Sequence, residues 1–317
     1  MAKSKIIGVG SYLPEKVLTN FDLEDMVDTT NEWILDRTGI EERRIADENE
    51  FTSDLALNAS LSAISNAKID KNEIDLIIVA TTTPDKTFPS TATILQNKLN
   101  VLGGFAFDVQ AVCSGFLYAL NIADNFIRTG QVKTALVVGA ETTSRIVNWA
   151  DRNTCVLFGD GAGAVILQAH ETNGILNFCL HSDGKYNDVL YTTGGVSCNQ
   201  KTGYIHMEGN KVFKLAVNKI SEAIIENLNY LNMTLDDVDL LVSHQANLRI
   251  LDGIATKLNL SQDKIILTLN KQGNTSAASI PLALDYAVRN KRIKENDIVV
   301  LDALGGGLTW GSAVIKW

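Results

Sequence analysis

The chain has 317 residues, 45% hydrophobic and 21% charged, with 23 Gly and 4 Pro. That length suits roughly two domains of ordinary size, or one unit built from two halves, and the composition excludes disordered and fibrous classes. A formal net charge of −9 speaks against a nucleic-acid partner and means that an acidic partner would need a local basic face.

In chain order, Met1–Lys5 carries two lysines, but Ile6–Leu13 is interrupted by Gly8, Gly10 and Ser11 and does not read as the apolar core of a signal peptide, so a cytoplasmic location is expected. A helical spacing of apolar residues covers Ser53–Asn66. After the turn Glu73-Ile74-Asp75 comes a continuous apolar β-run, Leu76–Ala80, and a second run starts at Thr134. Neither approaches the about 18 apolar residues that span a bilayer, so no membrane partner is expected. Between them, Phe116, Leu117, Leu120, Ala123, Phe126 and Ile127 mark a helix reaching about Thr129. A boundary is expected near Gln168–Asn173, dividing the chain into residues 1–170 and 171–317, and Tyr186–Gly209 is a weakly patterned excursion.

The second half repeats the first. A helical pattern over Val212–Leu228 precedes the turn Asp237-Val238-Asp239 and the apolar run Leu240–Val242, with Asp239 at an offset of 164 from Asp75. Further on, Val299 stands at an offset of 162 from Val137. Nearly equal offsets indicate an internal duplication. Helices alternating with continuous apolar strands predict an α/β fold with two mainly parallel or mixed sheets covered by helices.

Cys113, Cys155, Cys179 and Cys198 form no CxxC pair, which argues against a disulfide framework and a zinc site. Cys113 stands immediately before a helix, where free amides and the positive dipole end favour the thiolate; a buried Cys acting as a small hydrophobe fits the same context. His244 closes an apolar strand at its carboxyl end, the usual ligand side of an α/β sheet. His170, His181 and His206 have no partner motif and read as structural or exposed. Asn274 stands in a polar turn before the helix expected over Ala277–Arg289, at an offset of 161 from Cys113, and so takes the equivalent place in the repeat. Cys, His and Asn brought together would supply a nucleophile, a base and an amide donor, a set that papain-like hydrolases also use. The run Gly159-Asp160-Gly161-Ala162-Gly163-Ala164 leads into a strand-like segment with no helix behind it, which disfavours a dinucleotide site.

Asp108-Val109-Gln110-Ala111-Val112-Cys113-Ser114-Gly115-Phe116, Ser243-His244-Gln245-Ala246-Asn247, Gly273-Asn274-Thr275-Ser276 and Leu304-Gly305-Gly306-Gly307 resemble the β-ketoacyl-acyl-carrier-protein synthase III family over the whole chain. The resemblance implies a five-layer thiolase fold, a homodimer, and condensation of an acyl-coenzyme A primer with malonyl-acyl carrier protein to begin type II fatty acid synthesis, with no metal or redox cofactor. It implies Cys113 as nucleophile, an oxyanion hole from the N–H groups of Cys113 and Gly306, and His244 and Asn274 as donors to the enolate.

Coenzyme A would meet Thr29, Trp33, Arg37, Arg152 and Asn247, with Trp33 and Arg152 on the adenine faces; without the resemblance Trp33 reads as a half-buried helix aromatic. Phe88 from the neighbouring subunit and Leu304 would close the acyl pocket. Leu304 departs from the Phe common in the family, and a short primer, acetyl first, is expected. Lys214, Arg249 and Lys257 are the candidates for docking the acidic carrier protein. Related condensing enzymes of secondary metabolism and a non-catalytic acyl or carrier-protein binding module are the alternatives.

Overall fold

The computed structural model describes residues 3–317. The first half supplies β1 (Lys3–Tyr12), α1 (Thr52–Ala67), β2 (Leu76–Ala80), α2 (Thr91–Leu99), β3 (Phe105–Val109), α3 (Gly115–Arg128), β4 (Thr134–Glu141) and β5 (Gly161–His170). The second supplies β6 (Gly174–Ser182), α4 (Gly209–Tyr230), β7 (Leu240–Ser243), α5 (Leu248–Leu258), α6 (Ser279–Arg289), β8 (Ile298–Gly305) and β9 (Thr309–Lys316). One sheet runs β1-β5-β4-β2-β3 and the other β6-β9-β8-β7, so each half builds its own sheet in the same spatial order. The counterpart of β3 shrinks to a single parallel bridge between Leu241 and Ile265.

Both sheets are mixed. β4, β2 and β3 are parallel while β1 and β4 run antiparallel to β5; in the second sheet only β7 and β8 are parallel. The apolar runs correctly mark strands buried on both faces, since every residue of β2 and β4 is buried. Such runs cannot reveal that the last strand of each half returns antiparallel, because burial and strand direction are independent.

Three apolar cores define the layers. α1 and α2 cover the outer face of the first sheet, with Leu55, Ala59 and Leu95 packed on Ile77 and Val79. α3 and α6 lie between the sheets, where Phe116, Leu120, Ile280 and Leu284 meet Ile78, Val137, Val242 and Leu301. α4 and α5 cover the outer face of the second sheet through Ile220, Ile224, Ile254 and Leu258. Pro281 is tolerated in α6 because it falls in the first turn, where its missing N–H would have no helical partner. No helix among the described residues is long and apolar enough to cross a membrane.

The structure revises the repeat register. β4 and β8 start and end at an offset of 164, and the first residues of α3 and α6 share it. At that offset the counterpart of Cys113 is Ala277, and Asn274 matches Gln110. Asn274 therefore stands ahead of its turn and not at the position that Cys113 takes within the other.

The halves meet by backbone approach. A Cβ on Gly139 of β4 would collide with the carbonyl oxygen of Ala277. Gly139→Ala is accordingly expected to destabilise the protein by about 2 kcal/mol or more through overpacking, read as a lowered denaturation midpoint with an unchanged m-value.

Candidate active site

Cys113 lies in a 3-10 turn, Val112–Ser114, that leads into α3. Its counterpart turn, Ser276–Ala278, leads into α6. The end of β8 presses on the first turn: a Cβ on Gly305 would stand 2.8 Å from the Cys113 nitrogen and from the Ala111 oxygen. Only glycine admits this contact. Thr309 Oγ1 locks the turn further, lying 2.7 Å from Ser114 Oγ and donating to the Ala111 carbonyl at 3.1 Å.

Cys113, His244 and Asn274 line one cavity of about 830 Å³ with Gly306 and Leu304, and they are only 4%, 5% and 6% exposed. Burial sets their chemistry. It pushes the Cys113 thiol up to about 12, against a smaller lowering from its hydrogen bond with Ser276. Desolvation thus opposes the thiolate preference expected at the helix start, because the charged form loses its hydration. Burial likewise pushes His244 down to about 3, so its imidazole is neutral.

The donors that these groups present follow from their other contacts. His244 Nδ1 lies 2.6 Å from Ser279 Oγ, and that oxygen accepts the Gln245 N–H at 3.4 Å. The Ser279 hydroxyl hydrogen can be donated to Nδ1, and in the tautomer where it is, the proton of the neutral imidazole sits on Nε2. Asn274 Oδ1 accepts the Ser276 N–H at 2.9 Å, so the side chain retains its Nδ2 donors for the cavity.

Sequence reasoning did not assign Ser279, Ser276 or Glu141 a role. Glu141 ends the otherwise uncharged β4, is fully buried, and accepts from Thr83 Oγ1 at 2.5 Å, from the Thr82 and Thr83 N–H groups at 3.1 Å, and from Ser276 Oγ at 3.2 Å. Burial raises it to about 7. An acid closing a buried, otherwise uncharged strand was the signal in the sequence. The Tyr186–Gly209 excursion proves to be a cavity wall, since its short hairpin, Leu190–Thr192 paired with Ile205–Met207, lines the space.

The remaining predicted residues divide. Trp33, Arg37, Asn247 and Arg249 line the cavity, whereas Thr29, Phe88, Arg152, Lys214 and Lys257 do not. Arg152 and Arg37 lie over the Trp33 ring at 5.1 and 5.8 Å from its centre, so an adenine can stack on that face only by displacing a guanidinium. Asn247 caps α5 through the Arg249 N–H and donates to the Arg37 carbonyl. Thr29 Oγ1 is buried without a hydrogen-bond partner among the described residues. Phe88 projects from its loop, 82% exposed. Arg249 pairs with Asp36 at 2.8 Å, Lys214 is exposed, and Lys257 lines a separate groove beside Glu222. Lys257 also donates to Asn218 of α4, the helix that carries Lys214.

A duplicated α/β/α/β/α fold whose central cavity joins a cysteine of one half to a histidine and an asparagine of the other defines a condensing enzyme of the thiolase fold. Residues 107–184 match the family model for 3-oxoacyl-[acyl-carrier-protein] synthase III, and residues 228–317 match that for its C-terminal part. The chain is 54% identical to the β-ketoacyl-[acyl-carrier-protein] synthase III of Ehrlichia canis over the full length of both. It is similar to the crystal structure of 3-oxoacyl-[acyl-carrier-protein] synthase III from Aquifex aeolicus, with a TM-score of 0.95, 47% identity, and coverage of 99% of this chain and 100% of that one. The priming β-ketosynthase of the R1128 polyketide pathway is similar at a TM-score of 0.94 but only 33% identity, with 99% and 96% of the two chains covered. The chain belongs to the β-ketoacyl-acyl-carrier-protein synthase III family.

With its thiol near 12, free Cys113 should be alkylated by iodoacetamide at a rate that climbs about tenfold per pH unit from pH 7 to 10 without levelling. A plateau near pH 8 would show the helix start outweighing burial.

Proposed function

We propose that this chain carries out the decarboxylative condensation of its family through Cys113, His244 and Asn274. The reaction joins an acyl-coenzyme A primer to malonyl-acyl carrier protein and yields 3-oxoacyl-acyl carrier protein, carbon dioxide and coenzyme A, the opening condensation of type II fatty acid synthesis. The observation that carries the residue assignment is that Cys113, His244 and Asn274 line one buried cavity while Ser279 and Ser276 engage His244 Nδ1 and Asn274 Oδ1, which supports Nε2 and Nδ2 as the donors.

In the first half-reaction the Cys113 sulfur attacks the primer carbonyl, the N–H groups of Cys113 and Gly306 hold the oxyanion, and the thiol proton leaves with coenzyme A. In the second, the bond from the malonyl carboxylate to its α-carbon breaks, and the electron pair passes into an enolate held by His244 and Asn274. The α-carbon attacks the acyl carbonyl, and the Cys113 thiolate departs and takes up a proton. A neutral, dry site suits this step, because two fixed N–H donors stabilise developing charge most where water is excluded.

Trp33, Arg37 and Arg152, with Thr29 and Asn247, are proposed to receive coenzyme A. Leu304, together with Phe88 of a partner subunit, would limit the primer to short chains such as acetyl. The large exposure of Phe88 supports its use in a homodimer. Lys214, Arg249 and Lys257 are proposed to meet the carrier protein, Arg249 after release from Asp36. Residues 1–170 and 171–317 are proposed as the two thiolase-like halves, the location as cytoplasmic, and the reaction as needing no cofactor beyond its substrates.

Intact-protein mass spectrometry with acetyl-coenzyme A should show one acetyl group on the wild type, none on Cys113→Ala, and discharge on adding malonyl-acyl carrier protein. Failure of every acyl-coenzyme A to load would remove Cys113 as nucleophile. Ser279→Ala should load normally yet decarboxylate malonyl thioester about tenfold to a hundredfold more slowly, because the imidazole loses the contact that keeps its proton on Nε2. Unchanged turnover would remove Ser279 from the positioning of His244.

A further inference from the structure

Away from the cavity, three ligating groups of different kinds converge between β6 and α4. Cys179 and His181 stand two apart on β6, so strand alternation puts both on the face that α4 covers, and Glu226 reaches them from that helix. Cys179 Sγ lies 3.2 Å from His181 Nε2, and Nε2 lies 2.9 Å from Glu226 Oε2. All three ligand atoms fall within 4.8 Å of one another.

The pattern of contacts separates two readings. In a nucleophile-base-orienter triad the carboxylate holds the imidazole nitrogen remote from the thiol. Here thiol and carboxylate address the same Nε2, which carries at most one proton and can donate to only one of them. A cation placed among the three satisfies all of them. Tetrahedral zinc with one sulfur, one nitrogen and one oxygen ligand separates its donor atoms by roughly 3.5 Å, which asks the cluster to open by only a few tenths of an ångström.

The surroundings hold the ligands in place. The His181 ring stacks on Trp310 with centres 5.5 Å apart, and Tyr118 donates to the His181 carbonyl at 2.8 Å. Cys179 is buried, whereas the Glu226 side chain is 58% exposed, which leaves the carboxylate side open to water as a fourth ligand.

We propose that Cys179, His181 and Glu226 bind a thiophilic divalent cation, zinc in the first instance, with one open coordination position. A thiolate in the ligand set favours zinc over magnesium or calcium. As the metal–sulfur bond forms, the Cys179 proton passes to solvent. The cation ties α4 to β6, and α4 also contributes Phe213, Ala216 and Ile220 to the wall of the catalytic cavity, so the site braces that wall.

The test titrates the full chain with cobalt(II) and then with zinc. One equivalent of cobalt should give a near-ultraviolet thiolate-to-cobalt band that zinc bleaches, and saturating zinc should raise the thermal midpoint. Cys179→Ser should lose the band while keeping the wild-type circular dichroism spectrum and condensation rate in chelator, and Glu226→Gln should weaken cobalt binding about tenfold or more. A Cys198→Ser control should keep it. Absence of the band at saturating cobalt, or its survival in Cys179→Ser, would overturn the site.

Discussion

The approach of two backbone turns to two strand ends is the constraint on which the rest of the molecule depends. Gly139 of β4 receives Ala277 from the second half, and Gly305 of β8 receives the Cys113 turn from the first. Each half thus delivers the start of its inner helix to the strand end of the other, which carries Cys113, His244 and Asn274 into one cavity. In the register that aligns β4 with β8, Gly305 matches Glu141. The duplicated position has diverged: in one half it makes room for the turn that bears Cys113, and in the other it supplies the carboxylate that holds Ser276.

Depth in the fold then decides protonation. The same desolvation that pushes the Cys113 thiol up to about 12 pushes His244 down to about 3, so neither residue carries charge at rest near neutral pH. An ion pair of thiolate and imidazolium would suit a hydrolase that activates water or a nucleophile through a charged dyad. A neutral imidazole with its proton fixed on Nε2 suits an enzyme that must hold an enolate formed inside a dry cavity. The Cys-His-Asn set is ambiguous as a list of residue types, and the contacts of Ser279 and Ser276 to His244 Nδ1 and Asn274 Oδ1 are compatible with a pair of donors.

Much of this was legible in the residues. Continuous apolar runs located the inner strands because both faces of each sheet are covered, and helical spacing located α1 to within a residue at each end, expected over Ser53–Asn66 and found over Thr52–Ala67. The repeat was visible as matching turns and strands, yet its register at the site was misjudged by three residues, since the turns around Cys113 and Asn274 share no side-chain pattern. Trp33 and Arg37, expected toward coenzyme A, both line the cavity, whereas the spacing of basic residues along the chain says nothing of which groove lies beneath each side chain.

The sequence by itself determined the α/β class, the duplication, the family, and Cys113, His244 and Asn274 as the residues to watch, because apolar periodicity and local motifs are written in neighbouring residues. Only the tertiary structure decided that the sheets are mixed, that Cys113 and His244 are buried, and that Ser279, 35 residues beyond His244, meets its Nδ1. It alone also brought Glu226 to Cys179 and His181, where the spacing of the cysteines had pointed away from any metal. Strand direction, desolvation and the meeting of distant side chains depend on how elements pack, and packing is a property of the whole folded chain.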